Sequence, residues 1–162
     1  MIEKVITIGA YGYNGESFVK ALQSAGVDLF IDIRARRGMR GSAYAFANAT
    51  RLEQALVGAG IRYTHTKELA PSETVREAQR AADALSGIAK RDRSRLSETF
   101  VSAFRSERLS GFDSRRFVEI YCNGVKRPAL FCVEREPAAC HRSLVAERLA
   151  TDLGIPVENL KP

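Results

Sequence analysis

The 162-residue sequence predicts an α/β fold: a three-layer parallel sheet of about five strands, with helices on both faces and a helical insertion over about residues 70–121. Three observations predict it. Short apolar runs rich in β-branched residues end at turn residues, segments with helical spacing separate them, and the alternation runs the length of the chain without internal repeat or low-complexity linker. A chain of this size buries about two-thirds of its unfolded surface, so residues 1–162 are expected to form one domain.

The run Val5–Ile8 is β-branched throughout and stops at Gly9, as a buried parallel strand followed by a turn would. Phe18, Leu22 and Ala25 then mark a helix that Gly26 closes. Leu29–Ile33 is the second strand, Leu52, Leu56 and Ala59 a helix, and Ile61–Thr64 the third strand. From about residue 70 to 121 only helical spacing is found: Val75, Ala78, Ala82 and Leu85, then Leu96, Phe100 and Phe104, then Phe117 and Ile120. Pro128–Glu134 is the fourth strand, Arg142–Leu153 a helix with Val145, Leu149 and Leu153 on one face, and Ile155–Leu160 a short last strand. Right-handed crossovers then place helices on both faces.

Hydrophobic residues at 45% and charged residues at 27% exclude long disorder, collagen and coiled coil. No run approaches the ~20 apolar residues of a membrane span, and the first residues lack the features of a secretory signal, so a cytoplasmic protein with no membrane partner is expected. Cys122, Cys132 and Cys140 form an odd set and read as reduced thiols. The 25 cations against 19 acids give a net charge of +6, which favours an anionic small molecule or nucleic acid as partner, or serves solubility alone. Of the cations 19 are arginine, the residue best suited to bidentate phosphate contacts.

Ligands of such sheets bind beyond the carboxyl ends of the strands. The first loop there, Gly9-Ala10-Tyr11-Gly12-Tyr13-Asn14-Gly15, lacks the spacing of a dinucleotide fingerprint or a P-loop and reads as a tight turn, with Tyr11 and Tyr13 as pocket-lining rings. The second strand ends Asp32-Ile33-Arg34, whose period of two puts the acid and the guanidinium on one face, as a structural ion pair or as an anion site. Arg36, Arg37 and Arg40 follow, with no acid among them, as a solvated loop or a phosphate-gripping one. The most informative stretch is LFCVEREPAACHR: Cys132 and Glu134 alternate onto one face, Pro137 turns the chain, and Cys140, His141 and Arg142 open a helix. Two cations in a first helical turn oppose the macrodipole, so Glu134, Asp32 or a bound anion is expected to compensate them.

The strand ending in Gly9, the Asp32-Ile33-Arg34 strand end, Gly60-Ile61-Arg62-Tyr63, and above all Cys132-Val133-Glu134 followed by Cys140-His141-Arg142 resemble the bacterial family of domain of unknown function 488 (DUF488) over essentially the whole chain. The resemblance implies an α/β domain with an Asp, Arg, Glu, Cys, His and Arg cluster at one end of the sheet, and it supplies no established activity. Glu68-Leu69-Ala70-Pro71-Ser72 stands where the commoner family pattern has a leucine followed by paired glycines.

Three chemistries fit such a cluster. In the favoured one, acid–base hydrolysis or group transfer on a phosphorylated or nucleotide-type substrate, Asp32 or Glu134 activates water or substrate, His141 exchanges a proton, and Arg34, Arg36, Arg37, Arg142 and Tyr11 hold the anion. In the second, Cys140 is a thiol nucleophile at a helix N-terminus. Adjacent helical residues point about 100° apart, so Cys140 and His141 are not expected to pair, and a Cys with Arg six residues later is absent because Ala146 stands there. In the third, a metal, Cys132, Cys140 and His141 match no zinc-knuckle spacing, so no cofactor is expected; a divalent ion between Asp32 and Glu134 is the exception. A different class of function is non-catalytic nucleic-acid binding by the basic residues 90–116, with Arg91, Arg93 and Arg95 as candidates and Phe104 and Phe112 as core. His65 and Lys67, after the third strand, are further candidates for the crevice.

Overall fold

The computed structural model describes residues Met1–Pro162. Five parallel strands, β1 (Val5–Ile8), β2 (Leu29–Asp32), β3 (Arg62–His65), β4 (Pro128–Phe131) and β5 (Val157–Asn159), form one sheet in the order β3-β2-β4-β1-β5. Helices α1 (Gly15–Ser24) and α2 (Ala49–Gly58) connect the first three strands. Helices α3 (Glu73–Ser86), α4 (Glu98–Phe104) and α5 (Ser114–Tyr121) fill the return from β3 to β4, and α6 (His141–Leu153) carries the chain to β5. The expected three-layer α/β fold is thus observed. No helix is long and apolar enough to cross a membrane.

Alternation along the central strands divides the core. Ile6, Ile8, Phe30, Ala129 and Phe131 meet Phe18, Leu22, Leu52 and Leu56 of α1 and α2 on one face. On the other, Val5, Leu29, Ile31 and Leu130 meet Val75, Phe100, Phe104 and Phe117 from α3–α5 and Leu144, Val145 and Leu149 of α6. The helical stretch between β3 and β4 therefore supplies much of the second covering layer. Phe104 is buried in the core, and the partly buried Phe112 packs against that core on Phe117 at 5.4 Å.

Three differences in detail have local causes. The second strand stops at Asp32 and the fourth at Phe131 because the residues beyond turn into loops, although Ala10 N still donates to Val133 O at 3.0 Å. Leu85, in the last turn of α3, is exposed at 92% and Ile120 on α5 at 59%, while Gln79 is buried beside Val75 on the inner face of α3, where its side chain accepts from Ser97 N at 2.8 Å. The glycine-rich first loop ends in a capping box: Asn14 Oδ1 accepts from Ser17 N at 2.8 Å, and Ser17 Oγ accepts from Asn14 N at 3.0 Å. That occupies a first-turn donor of α1 that a phosphate loop would present to its ligand.

Asp83 on α3 accepts hydrogen bonds from Arg93 and from Gln79, the latter at 2.8 Å. Burial would raise its carboxyl, but these two partners outweigh it and hold it below the usual range. A folded-state value below the unfolded one contributes stability that is complete above about pH 4 and fades as the pH falls through the depressed folded value. Asp83→Asn is accordingly expected to melt below the parent protein at pH 6, with the gap narrowing as the pH falls below about 4. A gap that stays constant over that range would remove this linkage.

Candidate active site

A cavity of about 310 Å³ opens beyond the carboxyl ends of the adjacent strands β2 and β4. Its floor carries Cys132 and Glu134 from the end of β4 and Cys140 and His141 from the start of α6. Its walls carry Arg34 and Arg36 after β2, Arg76, Gln79 and Arg80 on α3, and Lys90 and Arg93 beyond it. Glu134 is the one acid among the lining residues, against six lysines and arginines.

The floor is assembled by a tight return of the chain. Cys132 and Glu134 share a face two residues apart, and a short 3-10 turn at Pro137–Ala139 brings Cys140 back beside them. Cys140 is the N-cap of α6 with extended backbone (φ −138°, ψ 142°), so the angular offset between helical neighbours does not apply to it. Its Sγ lies 3.8 Å from His141 Nδ1, which corrects the expectation that these two side chains diverge. His141 Nε2 donates to Ile33 O at 3.1 Å, leaving Nδ1 to face the thiol. Cys132 Sγ donates to Glu134 Oε2 at 3.6 Å.

These groups shift one another. Burial works against ionising Cys140, but the Cys132 thiol and the His141 and Arg142 charges outweigh it and hold the Cys140 thiol well below its ordinary value. Cys132 is pushed well above, first by its hydrogen bond to Cys140 and then by burial. Burial, followed by the Cys140 charge, raises Glu134; the same Cys140 charge overcomes burial at His141 and raises it too. Cys122, remote from this cluster, is lifted by burial to about 11.

The other expected site residues are divided between the cavity wall and partners outside it. Asp32 lies on the opposite face of the sheet, among the side chains packed against α1 and α2, and Arg34 closes on it: Nε to Oδ1 at 2.9 Å, Nη2 to Oδ2 at 2.7 Å. Tyr63 donates to the same carboxylate at 2.9 Å, Arg34 Nη1 donates to Ala47 O at 2.9 Å, and the guanidinium lies 4.7 Å from the Phe131 ring. With Asp32 completely buried and Arg34 only 3% exposed, this is a satisfied structural pair at the cavity's edge. Both oxygens of the Asp32 carboxylate, the expected partner of Glu134 around a divalent ion, are taken up by Arg34 and Tyr63. Arg142 is also fully buried, and its guanidinium donates to the carbonyls of Glu134 at 2.6 Å and Arg135 at 3.1 Å. Carbonyl dipoles, not the expected carboxylate, compensate this cation. The same Glu134 carbonyl is approached so closely by Gly9 that a Cβ there would lie 1.9 Å from it, so Gly9 sets the spacing of the loop that carries Glu134.

Of the basic loop, Arg36 lines the cavity, whereas Arg37 turns to Glu53 at 2.9 Å and Tyr63 at 3.4 Å. Tyr11 lines a neighbouring open cavity with Tyr44, Arg40, Arg91 and Arg135. His65 Nε2 lies 2.8 Å from Arg34 O, a backbone bond that uses the ring outside the cavity. Among the nucleic-acid candidates, Arg91 and Arg95 are exposed, but the Arg93 side chain is turned inward against Asp83 and stands 3.7 Å from Glu134. Arg76, Arg80 and Lys90 were not anticipated, because they belong to the site through the placement of α3 and the turn after it.

A family model described as Domain of unknown function DUF488 matches residues 14–149. The chain belongs to the DUF488 family. The matched region contains every residue of the cavity floor and walls, so the site lies within the DUF488 domain. No curated protein and no solved structure matches the chain.

Proposed function

We propose that this DUF488 protein is an enzyme that hydrolyses, or transfers a group on, an anionic substrate bearing a phosphate, bound in the 310 Å³ cavity. The observation that carries this reading is the pairing of a strongly cationic wall with a floor of proton-carrying and nucleophilic side chains. Arg36 has no ion-pair partner, Lys90 reaches only Glu134 at 3.4 Å, and the Nε of the cavity-lining Arg76 is buried without an acceptor. These groups offer donors to an incoming anion. Glu134, facing the same space, is positioned to exchange a proton with water or substrate. Asp32 and Arg37 are given no role in the chemistry, since other partners hold them, and Arg142 enters it only through its charge beside Cys140.

A second reading, covalent catalysis by Cys140, is favoured by the 3.8 Å approach of its Sγ to His141 Nδ1. Non-catalytic nucleic-acid binding has less support, because the inward turn of Arg93 leaves only Arg91 and Arg95 of its three candidates exposed.

Thermal unfolding with a panel of phosphate-bearing small molecules, including nucleoside monophosphates and sugar phosphates, tests the binding step. A ligand at 100 times its Kd is expected to add about 2.7 kcal/mol. Arg36→Ala with Lys90→Ala, both at exposed positions, is expected to abolish that response at the same ligand concentration while leaving the ligand-free melting temperature close to the parent's. A panel with no stabilising anion, or a double variant that responds as the parent does, would overturn it.

A further inference from the structure

We propose that Cys132, Cys140 and His141 form a three-ligand site for a zinc-class divalent cation on the cavity floor, with the remaining coordination position available to water. The three ligand atoms all lie within 4.8 Å of one another. Around a tetrahedral ion with bonds of 2.0–2.3 Å, such atoms stand about 3.5–3.8 Å apart, so Cys140 Sγ and His141 Nδ1 at 3.8 Å are already at the required separation. Closing the set therefore needs movements of about 1 Å or less.

Three independent features support an ion here. The donor set of two thiols and an imidazole suits a borderline-soft ion of the zinc class and disfavours magnesium or calcium, which prefer oxygen. His141 has the outer contact that orients metal-binding imidazoles: Nε2 donates to the Ile33 carbonyl, which fixes the ring and directs Nδ1 at the thiols. The four floor residues are all buried, none more than 7% exposed, and two thiolates neutralise a doubly charged cation in a place where an unpaired charge is costly. Spacing conceals the site in the sequence, because the ligands come from a strand end and a helix N-cap joined by the Pro137 turn.

Binding balances by release of two protons, one from the Cys132 thiol and one shared by the Cys140–His141 pair. With an ion held there, a water at the open position would be acidified, and Glu134, whose Oε2 lies 3.6 Å from Cys132 Sγ, would be placed to take its proton. Cys140 is then a ligand and no longer a nucleophile. The role given to that water rests on the hydrolytic reading above; the binding site does not.

Titration of the reduced, metal-free full chain with Co(II) tests the site. Expected are one equivalent bound, a thiolate-to-metal charge-transfer band, the visible absorption of a four-coordinate ion, and displacement of both by Zn(II). Cys132→Ser, Cys140→Ser and His141→Gln are each expected to weaken binding by more than about 100-fold, beyond the loss typical of outer-shell contacts, whereas Cys122→Ser keeps the parent spectrum. In the unmutated chain, one equivalent of Zn(II) is expected to protect Cys132 and Cys140 from alkylation and leave the Cys122 rate unchanged, a readout independent of whether the variants fold. Absence of the charge-transfer band, or its survival in both thiol variants, would overturn the site. Glu134→Gln is expected to retain the Co(II) spectrum; its loss would make Glu134 a ligand and overturn its assignment as proton acceptor. An intact Co(II) spectrum with no anion response would remove the phosphate reading alone, and the converse result would remove the metal alone.

Discussion

Asp32→Ala is expected to lower the unfolding free energy by about 3–5 kcal/mol, because it strands a guanidinium that has almost no access to water. Arg34 is 3% exposed and directs Nε and Nη2 at the Asp32 carboxylate, so removal of the acid leaves both donors and a full charge unpaired. Against a total of about 5–15 kcal/mol for an ordinary domain, the loss is large enough to leave much of the protein unfolded near physiological temperature. Urea unfolding of the purified variant measures it. Removing the charge pair together, as Asp32→Leu with Arg34→Met, is expected to recover most of the loss, since an apolar pair of similar size has no desolvation penalty. A single variant within 1 kcal/mol of the parent, or a double variant no better than the single one, would contradict the structural assignment.

Glu134→Gln carries the second large effect: turnover of the substrate that stabilises the cavity is expected to fall by about 10²–10⁴-fold. Glutamine keeps the size and the hydrogen-bonding reach of the side chain but cannot accept or release the proton. Phosphate-ligand binding is expected to persist, because the wall cations Arg36, Arg76, Arg80, Lys90 and Arg93 are untouched. The decisive measurement pairs single-turnover rates with ligand-induced thermal stabilisation in the same preparation. Unchanged turnover would transfer the proton-carrying role away from Glu134, and lost binding would make the carboxylate part of ligand recognition instead.

The two carboxylates differ through the alternation of side chains along a strand. Asp32 and Arg34 are two residues apart and so are Cys132 and Glu134, and each pair does fall on one face as the period of two requires. Sequence alone does not say whether the two strands turn the same residue parity to the same side of the sheet. The register does: Asp32 pairs with Phe131, and the neighbouring positions on a parallel ladder point the same way, so Asp32 sides with Phe131 while Cys132 and Glu134 point oppositely. One position of register therefore separates the Asp32–Arg34 ion pair from the floor at Cys132 and Glu134.

Local chemistry determined much of the rest from the sequence. The β-branched run Val5–Ile8 and the short apolar runs of β2 and β4 specify the central strands, capping residues such as Asn14, Ser72, Ser97 and Asp113 start the helices, and the grouping of Cys132, Glu134, Cys140 and His141 near one strand end follows from the Pro137 turn. Those signals act within a few residues, which is why they are legible in order along the chain. Only the tertiary structure decided what those residues meet. The extended backbone of Cys140 brings its sulfur to His141, α3 delivers Arg76 and Arg80 from a distant segment, Arg93 is drawn inward to Asp83, and Arg142 is spent on backbone carbonyls. The arrival of Arg76 and Arg80 depends on the placement of elements far apart in sequence, and the other three outcomes on the path of the backbone over ten residues or fewer, neither of which residue spacing fixes.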